Sequence, residues 1–506
     1  MRPMIGLFLL FFSGPAFAQA PRARDTLDTT LLASVVSAAL AFISPRALDD
    51  VSIGQLALWG LGAPAALDST LSTQAQNGAV MLLQNGRVMF TRPAPTDDSV
   101  RAWSGLVADV LNAAFVASAS VRMGGLQGLT TSFFDEVFNH LDPYSRYVAP
   151  DAATADRARR SGEAGLGIQI ARTSAGIVVT GVNADGPGAE AGMRINDRIV
   201  AVDGQTLGNE DIDTVRDMIG GLEGTSVSVT LRSRGGPPRT LEVERVVIPP
   251  ETVFATRQND ILTLRISGFA SDTDERLRRE LEQRLNGPAG RGVRGILLDL
   301  RGNRGGLLRQ AVAATELLLT RGVVATTAGR NPQAAHRWQA NDTDLTAGRP
   351  VIVLIDGRSA SAAEIMAAAL SDQGRAIVVG STSLGKGLVQ TIATLPDGGE
   401  LFVSWSRVLA PAGWPIQGLG VLPQVCTSLG LDPLKAQLDA LDNGEQPMAA
   451  ALARHRAARA PLPAADVVAL RSPCPASEAR ESDLMAARFL LAHPKAYAAA
   501  RLTPPP

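Results

Sequence analysis

Lys386 stands in the stretch Val378–Gln390, VVGSTSLGKGLVQ, where two chemistry-bearing spacings overlap. Gly380 to Lys386 reads G-x-x-x-x-G-K, the spacing of a loop that cradles phosphate on backbone N–H groups. That loop needs Ser or Thr after the lysine to hold Mg²⁺, and Gly387 has no side chain. It must also open a helix. The residues that follow, GLVQTIATLPDGGELFVSW, have instead the β-branched character and the Asp397-Gly398-Gly399 turn of a hairpin. Ser383 to Lys386 reads S-x-x-K, in which a serine nucleophile and a lysine share one helical turn. Gly380, Gly385 and Gly387 disfavour a helix there, each costing about 1 kcal/mol relative to Ala. No S-D-N or K-T-G partner is suitably placed.

A lysine can also serve as base for a serine elsewhere in the chain. The segment 356–370, DGRSASAAEIMAAAL, runs from the end of a buried strand into a helix that begins around Ser361. A serine at such a junction lies at the positive end of the helix dipole, with backbone N–H groups beside it that can face an oxyanion. The ordinary role of a serine there is an N-cap, and local sequence leaves both roles open for Ser359 and Ser361. The histidines are His140, His336, His455 and His493, and none lies in a serine-protease context. A serine nucleophile in this chain would therefore draw on a lysine. That lysine must be neutral, and burial lowers its pKa from about 10.4 toward neutrality.

The elements that must position these residues follow from texture along the chain. It has 506 residues, 45% apolar and 19% charged, with a net charge of −1 and no basic stretch. This is globular material for several domains, with nucleic acid an unlikely class of partner. Residues 1–18 have the layout of a cleavable secretory signal: Arg2, an apolar run over 5–12, and A-F-A ending at Ala18. Export across a bacterial inner membrane, into the periplasm, is the expectation. Residues 19–150 read as mainly helical, with a hairpin at AVMLLQNGRVMF. Residues 160–247 are short β-rich runs with one helix, a small β domain. Residues 252–425 alternate continuous Ile/Val/Leu strands with helices, a layered α/β domain. Residues 426–506 are rich in Ala, Arg and Pro, and read as two helical stretches joined by a proline-rich linker. Cys426 and Cys474 could pair in an oxidising compartment and staple this tail to the preceding domain, or remain unpaired. No metal site and no cofactor are expected.

The segment SASAAEIMAAALSDQGRAIVVGSTSLGKGLVQ resembles the catalytic core of the carboxyl-terminal processing peptidases, also called tail-specific proteases. The resemblance implies Ser361 as nucleophile, Lys386 as base 25 residues later, and Gln390 as the residue that orients the lysine. Asp372 matches the aspartate after the nucleophile helix, in a supporting or a structural role. LDLRGNRGGLL resembles the family's glycine-bearing turn, so that the N–H groups of Gly305 or Gly306, with that of Ala362, would form the oxyanion hole. LDPYSRYV resembles the motif ahead of the family's PDZ domain, with Tyr144 in place of histidine. GLGIQI and GPGAEAGMRINDRIVAVDG resemble that PDZ domain, in which Gly165, Leu166, Gly167 and Ile168 would hold a peptide's terminal carboxylate. The chain departs from the pattern at Ala363, at Asn196-Asp197 and at Pro423-Gln424.

The resemblance implies a ClpP/crotonase-like layered α/β peptidase core with an inserted PDZ domain. It implies an exported serine endopeptidase acting on proteins engaged near their C-termini. The PDZ domain would take up protein or peptide substrates. The helical ends would suit a homodimer or larger homo-oligomer, and a periplasmic adaptor is a further candidate partner. Two rival readings remain: a catalytically silent PDZ-based binding or adaptor protein, and an acyltransferase or penicillin-binding enzyme using Ser383.

Overall fold

The computed structural model describes residues 26–183, 186–341 and 344–504. The expected signal segment lies outside them. The chain divides into two compact units.

One unit takes in residues up to Ser44, 51–147 and 395–397. Its helices Thr29–Ile43, Val100–Ala117 and Ala119–Phe138 begin at Asp28, Ser99 and Ser118, whose side chains each accept an N–H of the first turn. Their apolar faces bury Leu32, Leu40, Leu111, Leu129, Phe133 and Phe134. The last helix breaks at Gly125, where φ is 63°. The expected hairpin forms as Ala79–Gln84 with Arg87–Pro93, and a third antiparallel strand, Leu71–Gln76, pairs with the first of these. LSTQAQ is too polar to show itself as a strand.

The other unit begins with a five-strand antiparallel path in the order Pro238–Glu244, Ser226–Arg232, Arg198–Val202, Gly176–Val182, Ile168–Thr173. Helix Ile212–Ile219 closes over its apolar face, where Ile177, Val179, Ile199, Val202, Val215, Val227 and Val229 are buried. Ile168–Thr173 is the edge of this path.

Next along the chain comes a sheet in the order Val253–Gln258, Ile261–Ile266, Gly295–Asp299, Val351–Ile355, Ala376–Gly380, Val425–Cys426. Every pair after the first is parallel. Alternation along the strands serves two cores, as in a sheet covered on both faces. Val351, Val353 and Ile355 face helices Thr273–Leu285, Leu308–Glu316 and Ala362–Asp372. Ile352, Leu354, Ile377 and Val379 face helices Leu431–Asp442, Glu481–Ala492 and Pro494–Ala500. The C-terminal helices are thus a layer of this fold, and each large aliphatic side chain so buried contributes about 2 kcal/mol. A second sheet carries the hairpin Leu388–Thr394 and Glu400–Leu409, beside Val323–Ala328 and His336–Gln339.

Candidate active site

Two strand ends and one loop meet at the start of helix Ala362–Asp372. Strand Val351–Ile355 ends at Asp356, whose buried carboxylate Oδ1 accepts the N–H groups of Gly302, Arg358 and Ser359 at 2.9–3.0 Å. Ser359 is fully buried and its Oγ donates to the Leu300 carbonyl at 2.8 Å. The two serines left open by local sequence are thereby separated. Ser359 is a structural tie, whereas Ser361 is half-buried at the helix start. Ser361 has φ 56° and ψ −117°, a left-handed conformation that costs a non-glycine residue roughly 1–3 kcal/mol. The turn that carries it is therefore held in place by its surroundings.

Glu364 supplies most of that hold. It is fully buried one turn into the helix. Its Oε2 accepts the Ser361 N–H at 2.7 Å and the Lys386 N–H at 2.9 Å. Its Oε1 accepts the Ser383 Oγ–H at 2.5 Å and the Gly385 N–H at 2.6 Å. The backbones of Ser361 and Lys386 therefore bind one oxygen atom. Burial pushes the Glu364 carboxyl above its ordinary value, and these hydrogen bonds pull against that shift. All four partners are donors, so the ionised form is the one the geometry fits. Glu364 received no role from the sequence, although Ser-x-x-Glu at a helix start is the signature of a capping box.

The Lys386 loop, 381–387, is irregular and ends where strand Leu388–Thr394 begins. Lys386 and Gln390 are half-buried, and Gln390 follows a register shift in the pairing with Glu400–Leu409. Ser383 is fully buried: its Oγ also accepts the Val421 N–H at 2.7 Å. That leaves the Ser383 hydroxyl occupied as a strut between Glu364 and Val421.

The glycine-bearing turn 300–306 lies directly against Ser361. A Cβ on Gly305, where φ is 97°, would come within 2.8 Å of Ser361 Cβ and 3.0 Å of the Ala362 nitrogen. The Gly305 N–H donates to Asn303 Oδ1 at 2.8 Å, and the Ala360 N–H donates to the Asn303 carbonyl at 2.9 Å. A Cβ on Gly306 would meet the Phe269 carbonyl oxygen at 2.2 Å. Both positions require glycine. Asp372 lies eleven residues past Ser361, about 16 Å along the helix. Its carboxylate accepts the Ala412 N–H and Trp414 Nε1–H and pairs with Arg456 at 2.9 Å. Burial pushes the Asp372 carboxyl up, and Arg456 is among the groups that oppose this. The structure does not bring Asp372 to Ser361; it ties the helix end to the C-terminal layer.

Gly165, Leu166, Gly167 and Ile168 all line a cavity of about 930 Å³ between the edge strand Ile168–Thr173 and helix residues Arg216 and Ile219. Cys426 and Cys474, both fully buried, are joined by a disulfide with Cα atoms 5.7 Å apart. Among the described residues no group of three or more His, Cys, Asp or Glu side chains could hold a metal ion.

Residues 260–427 match Peptidase family S41 and residues 178–233 match a PDZ domain. A carboxy-terminal-processing protease of Bartonella bacilliformis is 35% identical over 287 residues, covering 56% of this chain and 66% of that protein. The carboxy-terminal processing protease CtpA of Bacillus subtilis is 31% identical over 304 residues, covering 60% of this chain and 63% of that protein. Among solved structures, the photosystem II D1 C-terminal processing protease is 25% identical, covering 73% of this chain and 92% of that one at a TM-score of 0.35. The chain spans just under two thirds of the length of the two curated relatives. By the sequence matches the segment 260–427 is similar to peptidase family S41, and the segment 178–233 ahead of it is similar to a PDZ domain.

Proposed function

We propose that this chain is a serine endopeptidase working through Ser361 and Lys386. The observation that carries the reading is the Glu364 carboxylate, whose Oε2 accepts an N–H from both residues. In the proposed reaction neutral Lys386 takes the proton of the Ser361 hydroxyl as Oγ attacks the scissile carbonyl. The N–H groups of Gly306 and Ala362 face the oxyanion; that of Gly305 is engaged by Asn303. Lys386 then protonates the leaving amine, and water hydrolyses the acyl-enzyme. Gln390, four residues on, orients the lysine. A peptide C-terminus enters the cavity beside Gly165–Ile168 and adds a strand at the edge Ile168–Thr173. The disulfide and the residue pattern of 1–18 both support an exported, periplasmic protein.

Purified protein incubated with an unstructured substrate such as casein tests the reading. Cleavage is expected from the wild type. Ser361→Ala and Lys386→Ala should each lose at least about a thousand-fold in rate. Cleavage that survives both substitutions removes the dyad. No cleavage by a wild type that still binds peptide favours the silent binding protein, and an inactive Ser383→Ala beside a fully active Ser361→Ala would transfer the nucleophile to Ser383.

A further inference from the structure

The segment matched to the peptidase family ends at 427, but the hydrogen bonds that build the Lys386 loop do not. Helix Ala464–Arg471 lies 85 residues beyond Lys386 at its last residue, and that residue turns back into the loop. Arg471 donates from Nη2 to the Ser383 carbonyl at 2.8 Å. From Nη1 it donates to the Leu419 carbonyl at 2.7 Å and to the Gly418 carbonyl at 3.3 Å. One guanidinium thus spans the two loops that flank Ser383. Gly420 leaves room for it: a Cβ there would lie 2.7 Å from Arg471 Nη1 and 2.7 Å from the Ser383 carbonyl oxygen.

The chain of direct contacts continues inward. Ser383, held by its carbonyl, donates its hydroxyl to Glu364, and Glu364 holds the N–H groups of Ser361, Gly385 and Lys386. Burial lowers the Arg471 guanidinium from its ordinary value, and the Glu364 carboxylate opposes that shift. Behind Arg471 the chain is pinned by four ties, at Cys474 and Ser477. Cys474 is disulfide-bonded to Cys426, and its carbonyl accepts from Thr382 Oγ1. The Ser477 carbonyl accepts the Gly357 N–H at 2.7 Å and the Ser381 Oγ–H at 2.8 Å. The bonds from Thr382, Ser381 and Gly357 land just past the strands that lead to Lys386 and Ser361, and the disulfide lands on the neighbouring strand Val425–Cys426.

We infer that Arg471 is a positioning residue for the catalytic loop: it acts through Ser383 and Glu364 to hold the Lys386 backbone in register with Ser361. The inference rests on the Ser361–Lys386 reading above. Arg fits the position because its planar fork reaches the two loops from two separate nitrogens, whereas a lysine offers a single one.

The test compares wild type, Arg471→Met, Arg471→Lys and Ser361→Ala in the full chain. The readouts are casein cleavage, melting temperature, and titration of reactive serine with a fluorophosphonate probe. Arg471→Met should lower kcat per titrated site by about a hundred-fold, the scale of a misplaced catalytic group, with KM unchanged. Arg471→Lys should recover part of that loss. A methionine variant with wild-type kcat per titrated site, lowered only in melting temperature, overturns the inference and leaves Arg471 a structural tie. If the methionine variant does not fold, the lysine variant decides: wild-type kcat there overturns the proposal equally. Failure of the wild type to cleave casein or to react with the probe would instead count against the dyad itself.

Discussion

At the residue scale the candidate site turns on a fully buried carboxylate. Glu364 is surrounded by four donors, each within 2.9 Å. Glutamine has nearly the same shape but presents one oxygen and an NH₂ group, so at least one buried donor would face another. Glu364→Gln is therefore expected to cost about 2–4 kcal/mol of stability, measured as a drop in the urea midpoint, together with loss of casein cleavage. Part of this site was legible in the residues alone. Ser361 sits three before Glu364 at a helix start, and the serine-to-lysine spacing survives in the folded chain as two N–H groups on one oxygen. The other bonds to Glu364 come from 19 to 22 residues away. No local periodicity or propensity encodes such a distance, because it depends on which strands lie side by side.

At the element scale the C-terminal layer was the least legible part. Residues between the two helical stretches read as a proline-rich linker, yet Ala464–Arg471 is a helix. It is short, none of its residues is buried, and prolines precede it, so no apolar stripe marks it. Its neighbour Ala449–Ala457 carries His455, which is buried, stacks edge-on against Trp414 at 4.7 Å, and contacts the Gly420 carbonyl through Nε2 at 3.1 Å. Burial pushes its pKa down to about 4, against the pull of the Gly420 carbonyl and with a further push from Arg471. The folded value lies below that of an unfolded histidine near 6.5, so the fold holds His455 neutral. Its contribution is complete above about pH 6.5 and is lost as pH falls toward about 4, a total of about 3 kcal/mol. Urea midpoints measured across that window should fall steeply for the wild type. They should fall less for His455→Gln, which keeps a polar side chain beside Gly420 and does not titrate.

At the scale of the whole molecule, the parallel sheet is closed on both faces by helices drawn from opposite ends of its own sequence segment. The parallel α/β character was legible because strands buried on both faces read as continuous Ile/Val/Leu runs. Which helices cover which face was not, since Ile352 and Val353 look alike in sequence and point into different cores. The disulfide fastens one of these layers across a separation of 48 residues. Replacing both cysteines by serine should cost about 2–4 kcal/mol, read as a lower melting temperature. Dithiothreitol should lower the wild type toward the same value and leave the double variant unchanged.

The site draws its parts from residues 302–306, 356–364, 381–387, 418–421 and 471–477, every one joined to another by a hydrogen bond or a close approach. Such contacts join points far apart along the chain, and closing long loops is what slows folding. The helices and hairpins of this protein can form early from local contacts, but the candidate site is incomplete until these distant segments have met. Assembly of the candidate site is therefore expected among the last events of folding, after the local helices and hairpins have formed.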